Sequence, residues 1–217
     1  PAGLEFAAMV GETIFAAQSK RDEAIKFRNA VKARMPAHGR DPELLRILPG
    51  LMPIMGATEK DALEKEKMLN ELLHPAVGIW MLSEQMDFRL YDYPQEGPLP
   101  TAEIRATGKA FTPRVVSLME RADREGLNVR QCGVLVAASR SHGSIVGTPE
   151  QIADHMQLWL DEGACDGFNV MPAWFHDEFD LFVDQVIPIL QRRGIYRTEY
   201  EGTTLRDHLG LPKPRRT

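Results

Sequence analysis

The chain has 217 residues, 43% of them hydrophobic, with 26 Lys and Arg against 31 Asp and Glu for a formal net charge of -5. That composition supplies a core and excludes a disordered chain. The basic residues are scattered apart from a cluster from Lys213 to Arg216, which excludes the continuous basic stripe of a nucleic-acid-binding surface. Cys132 and Cys165 form no CxxC and have no histidine at zinc spacing, so neither a disulfide framework nor a metal site is expected. The expected location is the cytoplasm, since no apolar run reaches the roughly 20 residues of a bilayer span and no signal-peptide pattern is present. The sequence opens with Pro1 inside PAGLEFAAMVG, already a helix start, and reads as a fragment of a longer product.

Ala2 to Val10 is helix-like and stops at Gly11, and Thr13 to Ala17 has the length of a buried parallel strand. From Ser19 as N-cap to Met35 the residues Ala24, Phe27, Val31 and Met35 share one face, with Lys20, Arg21, Asp22, Lys26 and Lys32 elsewhere. Pro36 and Gly39 close that helix. The apolar run from Leu48 to Gly56 contains Pro49 and Pro53, which predicts a short or irregular strand. Thr58 and Asp61 make an [ST]xx[DE] start for the charged run EKDALEKEKMLNELL, a solvated helix.

After the helical HPAVGIWMLSEQM, the stretch FRLYDYPQEGPLPT reads as a long loop, and its Leu82 to Leu99 region is the candidate lid over a substrate. Helices are predicted from Pro113 to Glu125 and from Asn128 to Ala138. Thr148, Pro149 and Gln151 specify a helix start three ways, Ile152, Met156, Trp159 and Leu160 form its buried stripe, and Gly163 ends it. Gly167 to Pro172 is a further strand. The last helix, Asp177 to Gly194, is expected to bury Phe179, Phe182, Val183, Val186 and Leu190 and to kink at Pro188, which crowds the carbonyl of Asp184.

Helices alternating with short apolar strands make an α/β protein with parallel strands and right-handed crossovers. The residues alone leave two architectures open, a (β/α)8 barrel and an open doubly wound sheet. No GxGxxG follows any strand, which weighs against the second.

The stretches PAGLEFAA, ETIFAAQ, PGLMPIMGATEKDALEK, YDYPQEGPLP, VGTPEQIADHMQLWLDEGACDGFNVMP, FVDQVIPILQRRG and YRTEYEGTTLRDHLGL occur in one order across nearly the whole chain. In that order the sequence resembles the nitrilotriacetate, long-chain alkane and dibenzothiophene-sulfone monooxygenases of the bacterial luciferase-like superfamily. The resemblance implies the C-terminal half of a (β/α)8 TIM barrel, residues 1–217 forming one domain fragment with a helical and loop insertion or lid at 72–146. It further implies an enzyme that oxidises a small organic substrate with O2 and reduced FMN, the FMN being delivered by a separate NAD(P)H-dependent flavin reductase.

In the family a serine-containing turn just ahead of PAG holds the FMN phosphate at a helix N-terminus, so Pro1, Ala2 and Gly3 are implied cofactor contacts. The serine itself is not in this sequence. Barrel chemistry sits at the C-terminal ends of strands, where Gln18 is a candidate cofactor contact and Met55 and Met171 are candidate substrate contacts. Helix capping is the competing role for Gln18, and core filling for the methionines. Leu82 and Ser83 open the lid region and join the substrate-side candidates. Ser83 has no His and acid partners in sequence that suggest a triad. His142 is the candidate catalytic residue, on a loop where an imidazole can donate a hydrogen bond or a proton to a reacting oxygen; a surface histidine is the competing reading. His74 and His155 read as structural or exposed.

Expected partners are therefore the small substrate, O2, the reductase, the chain's own N-terminal half and further copies of itself, with neither nucleic acid nor membrane. Two other functions stay open at the level of sequence. One keeps the barrel and replaces FMN with a hydride-transferring deazaflavin. In the other the chain is a non-catalytic α/β fragment whose open strand edges and apolar interior bind a protein partner.

Overall fold

The structure, a computed structural model, describes residues 2–139 and 142–213. It contains two compact units, Pro1–Lys65 with Ser141–Thr217, and Glu66–Arg140.

The first unit is built on parallel strands. Helix α1 (Ala2–Val10) leads to β1 (Thr13–Ala16), α2 (Arg21–Lys32) and β2 (Arg46–Met55), and α3 begins at Glu59 and runs to Leu72. After the second unit the chain returns as β3 (Gly143–Gly147), α8 (Pro149–Asp161) and β4 (Asn169–Val170). It ends with α9 (Asp177–Leu181), a π-helical turn at Phe182–Val186, α10 (Ile187–Arg192) and α11 (Leu205–His208). Both β1 and β3 pair parallel to β2, Thr13 opposite Arg46 and Leu51 opposite Gly143, and β4 pairs parallel to it at Gly50 and Leu51. This α/β order with an all-parallel sheet matches the fold class read from the sequence.

The ten-residue β2 corrects the expectation of a short or irregular strand. Backbone groups of successive strand residues point to opposite edges. The even-numbered Arg46 and Gly56 donate to Glu12 and Gly147, on the β1 and β3 side, and the carbonyls of Ile47 and Leu51 accept from Asp166 and Met171, on the β4 side. Pro49 and Pro53 belong to the odd set. Their missing N–H groups fall on the edge that β4 covers only at Gly50 and Leu51, so the ladder with β1 and β3 loses nothing.

Local signals fixed several ends. Thr58 and Asp61 cap α3 reciprocally, and Thr148 and Gln151 do the same for α8. Gly163 sits at φ +68 while its N–H and that of Ala164 close the helix onto Leu160 and Trp159. The chain departs from its expected course in α2, which starts at Arg21 after an extended Lys20 instead of being capped by Ser19. Ahead of Pro188 the helix widens into the π turn, which accommodates the missing donor. The stripe of the last helix is narrower than expected: Phe182, Val186 and Leu190 are buried, whereas Phe179 and Val183 are 39% and 43% exposed.

The second unit holds α4 (Pro75–Met86), α5 (Thr101–Ala106), α6 (Pro113–Glu125) and α7 (Val129–Ser139). Helices α4 and α7 cross at Gly78 and Gly133, each so close to the other's backbone that a Cβ would lie 2.7–2.8 Å from a carbonyl carbon. Ile79, Leu82, Met86, Leu90, Ile104 and Met119 fill the core. Leu82 and Ser83 are thus helical core positions instead of the start of a loop: Leu82 is fully buried, and the Ser83 Oγ accepts from the Leu90 N–H at 3.3 Å. The loop begins after Met86, and it contains a 3-10 turn at Leu90–Asp92 and then α5, too short for its periodicity to show in sequence.

Candidate functional site

Side chains alternate between the two faces of a strand. On β2 the odd-numbered Leu51 and Met55 pack with Ile152, Met156, Phe182 and Val186 under the helices, while Ile47 joins Val31, Met35 and Leu45. The opposite face carries Gly50, and the sequence-predicted residues gather above it. A Cβ at Gly50 would overlap His142 Nδ1 and stand 2.8 Å from Met171 Sδ. Glycine is therefore required for the imidazole and the thioether to approach the strand. The His142 ring stacks on Phe15 of β1, centroids 4.8 Å apart and planes within 5°. Its Nδ1 is buried and has no hydrogen-bond partner among the described residues. The Gln18 carbonyl lies 3.7 Å from the position a Cβ would take on Gly143, next to His142.

His142, Met171, Phe15 and Gly50 therefore converge on one face of the sheet, whereas the contact of Gln18, through its carbonyl, is on the Leu51 side of Gly143. A buried imidazole nitrogen without a partner is costly and calls for a ligand group, either a donor to it or an acceptor from it according to tautomer. The stack fixes the ring plane, so such a group is approached from a set direction.

The other candidates are placed elsewhere. Met55 is 2% exposed in the helix-facing core, since its odd position points away from Gly50; it fills the core and does not line that face. Leu82 and Ser83 lie inside the helical core of the other unit. Ala2 and Gly3 are exposed in the first turn of α1, and a Cβ on Gly3 would meet nothing within 4 Å, so this backbone is open to a ligand. Pro1 lies outside the described residues.

Two ionic arrangements left no local trace in the sequence. Glu178 is 1% exposed; its Oε2 accepts from the Met55 N–H at 3.2 Å and its Oε1 pairs with Lys65. The Met55 bond ties the start of α9 to the C-terminal end of β2 and the ion pair ties it to α3, and the Lys65 ammonium lies 5.7 Å from the Trp174 ring centroid. Between them His176 adopts φ 77 and ψ -91, a conformation unfavourable for a non-glycine residue.

Asp166, just before β4, takes Arg28 Nη2 at 2.7 Å, Lys32 Nζ at 3.2 Å and the Ile47 N–H at 2.9 Å. Burial works to raise its pKa, but the hydrogen bonds from Arg28 and Ile47 and the charges of Arg28 and Lys32 outweigh it and hold the carboxyl below the usual range. Lys32, expected on the solvated side of α2, is buried by this contact.

A family model described as luciferase-like monooxygenase matches residues 1–165. The N-acetyl-S-(2-succino)cysteine monooxygenase of Bacillus subtilis (strain 168) is 45% identical over 213 residues, covering 98% of this chain and 48% of the relative. Nitrilotriacetate monooxygenase component A of Aminobacter aminovorans is 41% identical over 216 residues, covering 98% and 47%. Among solved structures, the EDTA monooxygenase of Chelativorans sp. BNC1 superposes with a TM-score of 0.68 at 31% identity, over 97% of this chain and 48% of that one. The chain spans about half the length of the relatives it matches. Its parallel α/β sheet is that of half such a barrel, and the chain belongs to the luciferase-like monooxygenase family.

Proposed function

We propose that this chain is the C-terminal half of a flavin-dependent monooxygenase, and that together with the other half of its barrel it oxidises a small organic molecule with O2 and reduced FMN. The reduced FMN comes from a separate NAD(P)H-dependent flavin reductase. The observation that carries the reading is the buried His142 Nδ1 above Gly50, without a hydrogen-bond partner among the described residues, in a chain of this family. Bound FMN supplies the electrons for the oxygen chemistry.

Two features of the chain fit that cofactor. The first-turn amides of α1, at Ala2 and Gly3, are free of intrahelical partners and favour an anion such as a phosphate. His142, held flat by Phe15, presents a nitrogen with unused hydrogen-bonding capacity at a site lined by Met171. There the imidazole holds or donates a proton to a reacting oxygen. Met171 and Phe15 make the surroundings apolar and exclude water. The barrel's other half contributes the remaining flavin contacts, and the exposed Phe6, Met9 and Val10 of α1 supply apolar surface for assembly with that half or with another copy.

The test is oxygen uptake by the full-length protein supplied with FMN, NADH and a flavin reductase, with nitrilotriacetate among the substrates tried. Substrate-stimulated uptake is expected. His142→Ala should lower it by about 10²-fold or more, the usual contribution of a positioned proton donor, with an unchanged thermal midpoint. Equal turnover in the variant removes His142 from the mechanism, and absence of uptake with any substrate removes the monooxygenase reading.

A further inference from the structure

The ladder between β2 and β4 ends early. Its last bond runs from the Met171 N–H to the Leu51 carbonyl at 2.8 Å, and farther along the same edge of β2 Pro53 has no N–H to offer while Met55 has one. The Met55 N–H goes to a side chain in place of a strand: Glu178 Oε2 accepts it at 3.2 Å, and Oε1 pairs with Lys65 of α3. Glu178 is 1% exposed in the chain as it stands, so the surroundings of its carboxylate are complete without the other half of the barrel. Lys65 has a second contact, its ammonium 5.7 Å from the Trp174 ring centroid.

The loop 172–176 is thus held along its length, by β4 at Met171, by Lys65 at Trp174 and by Glu178 just past His176. Within it His176 adopts φ 77 and ψ -91. A non-glycine residue keeps such a conformation only where its surroundings impose it, and residues of this kind gather at functional sites. The loop leaves the C-terminal end of a barrel strand, the end that carries the chemistry. It starts directly after Met171, whose Sδ lies over Gly50 beside His142.

We infer that the loop 172–176 is a fixed wall on the substrate side of the His142 site, and that Glu178 and Lys65 are the positioning residues that hold it. The inference rests on the monooxygenase reading proposed above. Loosening the wall weakens binding of the organic substrate in the ground state and the transition state alike, which raises KM and leaves kcat unchanged. A merely structural role has the opposite signature, since loss of folded protein lowers the apparent kcat and leaves KM unchanged.

The test uses the full-length protein and two variants. Glu178→Gln keeps an acceptor for the Met55 N–H and removes the charge that holds Lys65. His176→Gly gives the loop other conformations while relieving the backbone, because glycine takes positive φ without a steric penalty. Chymotrypsin should cut after Trp174 or Phe175, located by fragment mass, about tenfold faster in Glu178→Gln than in the wild type, because cleavage follows the population of the open loop. Oxygen uptake is then measured with FMN, NADH and a flavin reductase, nitrilotriacetate being the first substrate tried. Both variants should raise the substrate KM about tenfold and change kcat by less than about twofold, and His176→Gly should not lower the thermal midpoint. Unchanged cleavage of the loop in Glu178→Gln overturns the inference whether or not the protein turns over. Unchanged KM in either variant, with a wild type that turns over, also overturns it and leaves the monooxygenase reading standing. Should Glu178→Gln fail to fold, the KM of His176→Gly decides. Absence of uptake by the wild type with every substrate removes the monooxygenase reading and the wall's role with it.

Discussion

Replacing Asp166 by Asn keeps the volume of the side chain and one acceptor oxygen but leaves two cations without their counter-charge. The side chains of Arg28 and Lys32 are 20% and 8% exposed, and that of Asp166 is 12% exposed, so solvent screening is weak. Breaking a buried ion pair by removing one partner costs about 3–5 kcal/mol. The retained acceptor places this variant near the lower end, at about 3 kcal/mol. For a chain of this size 1 kcal/mol corresponds to roughly 2–4 °C, so the thermal midpoint should fall by roughly 6–12 °C.

The pH dependence has a definite sign. The folded-state pKa of Asp166 is depressed, so its contribution is present above the unfolded value near 3.9 and is lost as pH falls through the lower folded value. The deficit of Asp166→Asn should therefore be full at pH 7 and pH 5 and shrink below about pH 4. Circular-dichroism melts across that range measure it. The double variant Asp166→Asn with Lys32→Met should recover part of the loss, because it also removes a stranded buried charge. A drop under about 2 °C at pH 7, or strict additivity of the two substitutions, would refute the reasoning that these groups form one buried ionic unit.

Gly163→Val forces a β-branched residue into φ +68 and should cost about 1–3 kcal/mol, read from the urea midpoint. Unchanged stability would mean that α8 does not end where it is placed. Burial pushes the thiol of Cys132 up to about 11 and that of Cys165 up to about 12, so neither forms appreciable thiolate at pH 8. A disulfide reagent should label both only after denaturant is added, and rapid labelling of either in the native chain would contradict its burial.

How far the sequence could be read depended on the range of the interaction. The ends of α3 and α8 were legible because Thr58 with Asp61, Thr148 with Gln151, and Gly163 act within one helical turn. The length of β2 was not, because whether Pro49 and Pro53 cost a ladder bond depends on which edge they face. The Asp166 clamp joins residues 134 and 138 apart, and Lys65 with Glu178 spans 113, separations at which composition and periodicity say nothing. The same limit applied to the site. His142 and Met171 do meet, but through Gly50, whose significance lies in the absence of a side chain. Met55 was misplaced by one face of one strand. Leu82 and Ser83 were read as helical and also as the opening of the lid; the burial of Leu82 beside Met119, Val129 and Val136 depends on packing against later helices, which local sequence does not show.

The most direct test of the flavin-barrel account is an anaerobic titration with FMN and reduced FMN, followed by absorbance and flavin fluorescence, of this chain and of the protein extended upstream to the length of its relatives. The account predicts binding by the extended protein, weakened by His142→Ala, and none by the 217-residue chain, whose flavin contacts are incomplete. Absence of binding by the extended protein would contradict the flavin assignment, and equal binding by the chain alone would contradict the placement of the cofactor contacts.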